Sequence, residues 1–310
     1  MYQKRSLITM RGWILYYKRQ KDITPNDYGV SRFLAAAQAM GITLEIVCTD
    51  QFQLIVSDED NKVLLDGEPT QLPDFLIPRL GSNTSYFALA LIRQLENLGV
   101  RVFNTSRAIE GVKDKLYMHQ VLAKNGLPTP KSMVLKYPLN IDLVRQEIGF
   151  PIIVKNITGT EGQGIYLCPT ESEFLDLAEL IYSHNRQAQV LLQHFMHSSK
   201  GQDLRVFVVG GKVLGTMRRF SDTSFKANFS RGGGQVSPFE LTPQIEYLAL
   251  ETARLANLEI AGIDLLFDHK DGFTICEANS SPGFRGLEQV VGNHIAEDIL
   301  AHVREQIKGS

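Results

Sequence analysis

An α/β fold with a mostly parallel sheet is predicted for the first hundred or so residues, with hairpin-built units behind it. Three observations carry this. Strand-like and helix-like apolar patterns alternate from Leu7 to Phe103. Further on, apolar runs are joined through glycine-containing turns, as in hairpins. And 310 residues exceed one typical core, so two or three packed units are expected.

Taken in order, Leu7 to Tyr17 holds the first strand, and Ser31 to Met40 is an Ala-rich helix stopped by Gly41. Ile42 to Cys48 is a strand, and Phe52 to Leu65 suits a small hairpin. Asp74 to Pro78 is a short apolar run. Arg79 follows where that strand should end, a place where ligands often gather, although pattern alone reads it as a surface arginine. Tyr86 to Leu98 is an amphipathic helix closed by Gly99, and Val100 to Phe103 is another strand. Ser106 to Asn125 reads as one helix with Gly126 as its stop. A linker-like Leu127-Pro128-Thr129-Pro130 comes next, and a domain boundary is placed near Val112.

The next unit runs from strand Met133–Leu135 through a helix at Ile141–Ile148 to the buried strand Pro151–Lys155. Thr158 to Ile165 then carries three glycines in six residues, enough to turn tightly and present N–H groups to an anion. It is neither a Walker A loop nor a dinucleotide fingerprint. Alone it suits a hairpin turn; directly after a strand-terminal lysine it suits a phosphate lid. Glu171 to Ser183 is an acidic helix, and Gln189 to Phe195 a strand. Asp203 to Val209 and Lys212 to Arg219 form a hairpin through Gly210-Gly211. Arg205, Arg218, Arg219, Lys226 and Arg231 concentrate positive charge here, and arginine suits carboxylate and phosphate. Thr242 to Leu258 is a capped helix with Pro243 at its first position. A final helix is expected from Leu287 onward.

Before it lies the most informative stretch, Ile260 to Gly286. It reads as two strands joined through Asp268-His269-Lys270-Asp271-Gly272. Alternation puts Gly262, Asp264 and Leu266 on one face, and Glu277 with Asn279 on one face. If Asp268 pairs with Phe273, Asp264 falls opposite Glu277. Facing carboxylates are unfavourable unless a cation lies between them, and oxygen-only donors suit magnesium. A solvated hairpin face is the plainer alternative.

Composition limits the function classes. Hydrophobic content of 44% and charged content of 21% are those of a soluble globular protein. A net charge of -2 gives no electrostatic case for nucleic acid or membrane. Cys48, Cys168 and Cys276 form no C-x-x-C pair, which argues for a reducing compartment without a disulfide or zinc framework. No H-E-x-x-H spacing supports a zinc hydrolase. Arg11 and Lys18 interrupt the N-terminal apolar run, which is too short for a signal or span. A cytoplasmic location is expected.

Several motifs occur in order: Lys115 before a helix ending N-G-L-P-T-P, then P-I-I-V-K, G-T-E-G-Q-G, Q-D-L-R-V-F-V-V-G, K-A-N-F-S-R-G-G and A-G-I-D…C-E-A-N-S-S-P-G-F. Together they resemble the ATP-grasp superfamily, and within it the RimK-like α-L-glutamate ligases. The resemblance implies an N-terminal α/β (pre-ATP-grasp) domain and two α+β subdomains clamping ATP. The expected division is 1–112, 113–188 and 189–310.

Carried over by position, the resemblance assigns Lys115 and Lys155 to nucleotide phosphates and Thr160, Glu161, Gly162, Gln163 and Gly164 to the lid. His194 and Phe195 would hold adenine at the hinge, and Asp203 would contact ribose. Arg218, Lys226, Ala227 and Asn228 would line the phosphate and substrate channel. Asp264, Glu277 and Asn279 would bind two Mg2+ ions, with Mn2+ as an alternative. His194 stands where relatives often have an acidic residue, and Lys226-Ala227-Asn228 where they often have Arg-Ser-Asn. The implied reaction activates a carboxylate as an acyl phosphate, which an amine then attacks. Arg218 and Arg231 are candidates to stabilise acyl phosphate and oxyanion, with Asn228 beside them. Glutamate would be the amine, and a protein C-terminus or small acid the acceptor. No membrane or nucleic-acid partner is expected, and a homo-oligomer is. The alternatives are a ligase using another amino acid or peptide, and a non-catalytic nucleotide-binding regulator.

Overall fold

The computed structural model describes residues 10–156, 164–225, 227, 234–269, 272–292 and 294–309. The N-terminal sheet has the order β2-β1-β6-β7, from β1 (Arg11–Tyr16), β2 (Thr43–Cys48), β6 (Phe75–Pro78) and β7 (Arg101–Val102). All its pairings are parallel. Alternation sends Ile14, Phe75 and Ile77 toward α1 (Tyr28–Ala39), and Trp13, Leu15 and Leu76 toward α2 (Tyr86–Asn97). Both faces are thus covered, as a parallel sheet requires. A small antiparallel sheet of β3 (Phe52–Ile55), β4 (Lys62–Leu65) and β5 (Glu68–Pro69) sits beside it.

The expected single helix from Ser106 is two, α3 (Ser106–Lys113) and α4 (Lys115–Lys124). Asp114 between them is extended, and its carboxylate accepts the Tyr117 N–H at 2.9 Å. Aspartate stabilises a helix start better than a helix interior. The break makes Lys115 the first residue of α4.

The central sheet is antiparallel, in the order β10-β9-β11-β8. Its strands are β8 (Ser132–Lys136), β9 (Ile152–Asn156), β10 (Ile165–Cys168) and β11 (Gln189–His194). The division expected after residue 188 falls just ahead of β11, which pairs with both β8 and β9, so this sheet runs on to His194. α5 (Ile141–Glu147) and α6 (Glu171–His184) pack on the face bearing Ile152 and Val154, leaving Ile153 and Lys155 to the other side.

The C-terminal sheet, also antiparallel, has the order β14-β13-β12-β15-β16. It comprises β12 (Gln202–Val209), β13 (Lys212–Phe220), β14 (Gln235–Pro238), β15 (Ile260–Phe267) and β16 (Phe273–Asn279). α7 (Pro243–Leu255) covers Leu204, Val206, Ile263 and Ile275, together with Met118 and Leu122 of α4. The opposite face is apolar at one end and charged at the other. Phe207, Val209 and Ile260 lie under the chain's last helices, while Arg205 and Asp264 open onto a cleft. The last helix is split: α8 (Arg285–Val291) ends at Gly292, whose φ of 69° suits a glycine stop, and α9 (Ile295–Lys308) follows. α9 joins α1 and the C-terminal sheet in one core.

Candidate functional site

A cleft of about 920 Å³ lies between the three units. One wall carries Lys115 from α4 and Lys155 from β9. Lys155 is buried, and its Nζ lies 3.8 Å from the Cys276 Sγ. Burial pushes the Lys115 ammonium below its ordinary range; Lys155 adds to this, and Glu277 opposes it. Beneath them His119 is buried, with Nε2 3.2 Å from the Cys276 carbonyl and 3.2 Å from the Gln193 amide.

The facing wall is β15 and β16. Phe267 pairs with Phe273, but Asp264 pairs with Glu277, because the register shifts by one between Asp264 and Leu265. The extra residue is Cys276. Without it Glu277 would share the face of Phe273 and Ile275, which packs under α7. The bulge instead aims Glu277 and Asn279 into the cleft and returns Ala278 to the core. The expected opposition of Asp264 and Glu277 is therefore present, although Asp268 does not pair with Phe273.

The three oxygen-bearing side chains converge. Asn279 Nδ2 lies 3.4 Å from Asp264 Oδ2 and 3.5 Å from Glu277 Oε1, and it donates to the Gly262 carbonyl at 3.2 Å. Gly262 has no room for a side chain: a Cβ there would sit 2.6 Å from Pro282 Cβ.

Asp264 is also the centre of an ion-pair group that sequence reasoning missed. Arg205 donates Nε and Nη2 to its two oxygens at 2.7 Å each. Arg219 reaches Asp264 Oδ2 at 2.9 Å and holds Asp203 at 2.6 and 2.7 Å. Burial alone would raise the Asp264 carboxyl; the two guanidiniums outweigh it and hold the group low, at about 2. Strand alternation could have found Arg205 and Arg219, because both share a face with cleft residues.

Arg218 does not join them. It points to the other face of β13, is exposed, and lies over the Phe220 ring. This corrects the expectation that Arg218 lines the reaction channel: β13 turns Arg219 to the cleft, and neighbouring positions on a strand face opposite ways. His194 and Phe195 do line the cleft, but the His194 N–H already donates to the Lys131 carbonyl, and its Nδ1 lies 3.2 Å from the Ile148 carbonyl. Asp203 and buried Ala227 line it too. Gly164 precedes β10 with a φ of 66°. Thr160, Glu161, Gly162, Gln163, Lys226, Asn228 and Arg231 lie outside the described residues.

The donor set can be tested against a divalent cation. Glu277 fits, with no salt bridge among the described residues; Asn279 turns its Nδ2 to Glu277 and Asp264, so it fits through its other amide atom, Oδ1. Asp264 fits as a ligand that already carries two arginines. Among the described residues no three of His, Cys, Asp or Glu are grouped to hold a metal by themselves. The arrangement thus offers cations for phosphate on one wall and oxygen donors for a hard ion on the other.

A family model of the RimK-like ATP-grasp domain matches residues 112–303, and one of the RimK pre-ATP-grasp domain matches residues 23–109. A "Probable alpha-L-glutamate ligase" of Vibrio atlanticus (strain LGP32) is 32% identical over 285 residues, covering 91% of this chain and 93% of that protein. A protein of the same description from Marinomonas sp. (strain MWYL1) is 31% identical over 283 residues, with the same coverage. Among solved structures, the ATP-grasp ligase PsnB complexed with minimal precursor superimposes with a TM-score of 0.73 at 19% identity, covering 96% of this chain and 98% of that one. The D-alanine–D-alanine ligase of Bacillus anthracis complexed with ATP gives 0.71 at 16%, covering 96% and 97%. Among the described residues no helix is long and apolar enough to cross a membrane.

Proposed function

From the premise that this chain belongs to the RimK-like ATP-grasp ligase family, we propose that it couples ATP cleavage to amide formation between a carboxylate and the amine of L-glutamate. The observation that carries the reading is the pairing of two walls. Lys115 and Lys155 face Glu277 and Asn279 across one cleft, which suits a triphosphate held by ammonium groups on one side and by its metal on the other. The glutamate itself rests on the relatives' descriptions.

A carboxylate resists an amine because its carbonyl is electron-rich and oxide is a poor leaving group. In the proposed reaction the carboxylate oxygen attacks the γ-phosphorus and ADP leaves. The amine nitrogen then attacks the acyl carbon, phosphate departs, and the nitrogen loses a proton. Lys115 and Lys155 stabilise charge on the phosphoryl oxygens. Arg205 and Arg219 balance the charges of Asp264 and Asp203 on the buried side of the cleft. A bound divalent ion, held by Glu277 and Asn279 and reached by Asp264, would supply charge neutralisation at the triphosphate. Burial raises the Cys276 thiol to about 11, which keeps it protonated at neutral pH.

The test is incubation with ATP, Mg2+, L-glutamate and candidate carboxylate acceptors, read by mass spectrometry. Products spaced by one glutamyl unit, with ADP, support the reading. Formation of AMP overturns the acyl-phosphate route, and products carrying another amino acid overturn the glutamate part.

A further inference from the structure

Arg79 stands at the carboxyl end of β6, on the wall of the cleft formed by the N-terminal sheet. Its Nη2 donates to the Pro282 carbonyl at 2.9 Å, three residues beyond Asn279. The guanidinium lies over the rings of Phe33 and Phe284, 5.9 and 5.8 Å from their centroids. Among the described residues no carboxylate pairs with it. Arg205 and Arg219, which also line this cleft, differ: both hold Asp264.

The two ring faces attract a guanidinium but supply no formal negative charge to balance it. Burial accordingly pushes the Arg79 group down to about 10, with only the Tyr16 phenol opposing. One of its N–H donors is occupied by Pro282, which leaves a fork that matches a carboxylate. A second feature points the same way. α1 begins beside Arg79: a Cβ at Gly29 would sit 3.6 Å from Arg79 Nη2. The Asp27 side chain makes no cap there, because it accepts from Lys18, Tyr16 and Thr24 instead. The N–H groups of the first turn are therefore left toward the same space, where an anion is favoured.

We propose that Arg79 binds the free α-carboxylate of the amino acid whose amine is ligated. The carboxylate to be phosphorylated belongs against the triphosphate, between Lys155 and Glu277. Arg79 projects from a different wall, past the turn that follows Asn279, and so serves the carboxylate that must stay unreacted. The substrate class that follows is a free α-amino acid, not an amino-acid amide or a simple amine. This inference rests on the ligase reading but not on glutamate as the amine.

The experiment is calorimetric titration of the full chain, loaded with Mg2+ and a non-hydrolysable ATP analogue. The probes are L-glutamate, its γ-amide L-glutamine and its α-amide L-isoglutamine. Wild type is expected to bind isoglutamine at least about 50-fold more weakly than glutamate, roughly the worth of one desolvated charge-assisted contact. Arg79→Gln should lose about as much affinity for glutamate and no longer distinguish it from isoglutamine, with nucleotide affinity within twofold. Arg79→Lys keeps the positive charge, guards against a folding defect, and should fall between the two. Arg79→Gln or Arg79→Lys binding glutamate as wild type does, or a discrimination that survives in Arg79→Gln, overturns the assignment. If wild type binds a different amino acid, the same comparison is run with that acid and its α-amide; the glutamate reading then falls and this one is still decided. Binding of no free amino acid overturns it, while the product assay tests the ligase reading separately.

Discussion

Asp264 stands opposite Glu277 across the β15–β16 ladder, and among the described residues only Asp264 is paired with cations. Two carboxylates facing each other would repel. Arg205 and Arg219 remove that conflict by neutralising one of them from the buried side. Glu277 keeps its charge for the cleft.

This asymmetry makes Glu277 the more informative residue to change. Glu277→Ala should lower Mg2+-dependent ADP formation by at least about a hundredfold, since a metal at the phosphates contributes several kcal/mol and tenfold is about 1.4 kcal/mol. The melting temperature should hold, because Glu277 anchors no buried ion pair. Near-normal ADP formation across a Mg2+ titration removes Glu277 from the metal site.

Adjacent arginines on β13 should behave in opposite ways. Arg219→Leu leaves Asp203 and Asp264 short of a buried partner and should cost about 3–5 kcal/mol of stability. Arg218 is exposed on the other face, so Arg218→Leu should change stability by no more than about 0.5 kcal/mol and leave turnover near wild type. Urea titrations of both, with ADP assays, check this. A large loss of turnover in Arg218→Leu would return that residue to the channel.

The pattern of elements was legible because its causes are local. Gly41, Gly99 and Pro243 mark helix ends, and unbroken apolar runs mark doubly covered strands. Asp264 facing Glu277 was legible too, but for an incomplete reason. A plain ladder closed at Phe267 and Phe273 would have paired Asp264 with Cys276. The bulge leaves only a faint trace, a phase change in the apolar pattern from Phe273 and Ile275 to Ala278. The break at Asp114 was written in its residue type but hidden inside a longer amphipathic run. Least legible were contacts across the fold. That Arg79 meets Pro282, or that Arg219 bridges Asp203 and Asp264, depends on how separate elements come together, and spacing alone does not decide it.

His119 predicts a pH dependence of stability. Burial chiefly, then the Lys155 charge, lowers its imidazole to about 4, against the Cys276 carbonyl that favours protonation. The unfolded chain protonates this group near its ordinary value of about 6.5. Between those values the unfolded state binds the extra proton, so stability should fall as pH drops from about 6.5 to 4 and level off below. At about 1.4 kcal/mol per pH unit, the whole effect is at most roughly 3.5 kcal/mol. Urea titrations of wild type and His119→Gln at several pH values should show this slope only in wild type. Parallel curves for the two proteins contradict a buried neutral imidazole.

Asn104 predicts that the proposed metal site can be loosened from outside the cleft. It is buried; its Oδ1 accepts from the N–H groups of Glu259 and Ile260 at 2.7 and 3.0 Å, and its Nδ2 donates to the carbonyls of Ile260 and Ser280 at 2.7 and 2.8 Å. One side chain thus ties the start of β15 to the residue after Asn279. Asn104→Ala leaves buried backbone groups without partners, at about 1–3 kcal/mol for each group stranded. Asn104→Asp keeps the two acceptor contacts but sets a carboxylate against the two carbonyls, so it should be no better. Both variants should raise the Mg2+ concentration needed for half-maximal ADP formation, because Ser280 is the neighbour of Asn279. Unfolding by urea measures the first effect and a Mg2+ titration the second. A loss of stability with an unchanged Mg2+ requirement would show that the clasp holds the fold together without positioning the proposed metal ligands.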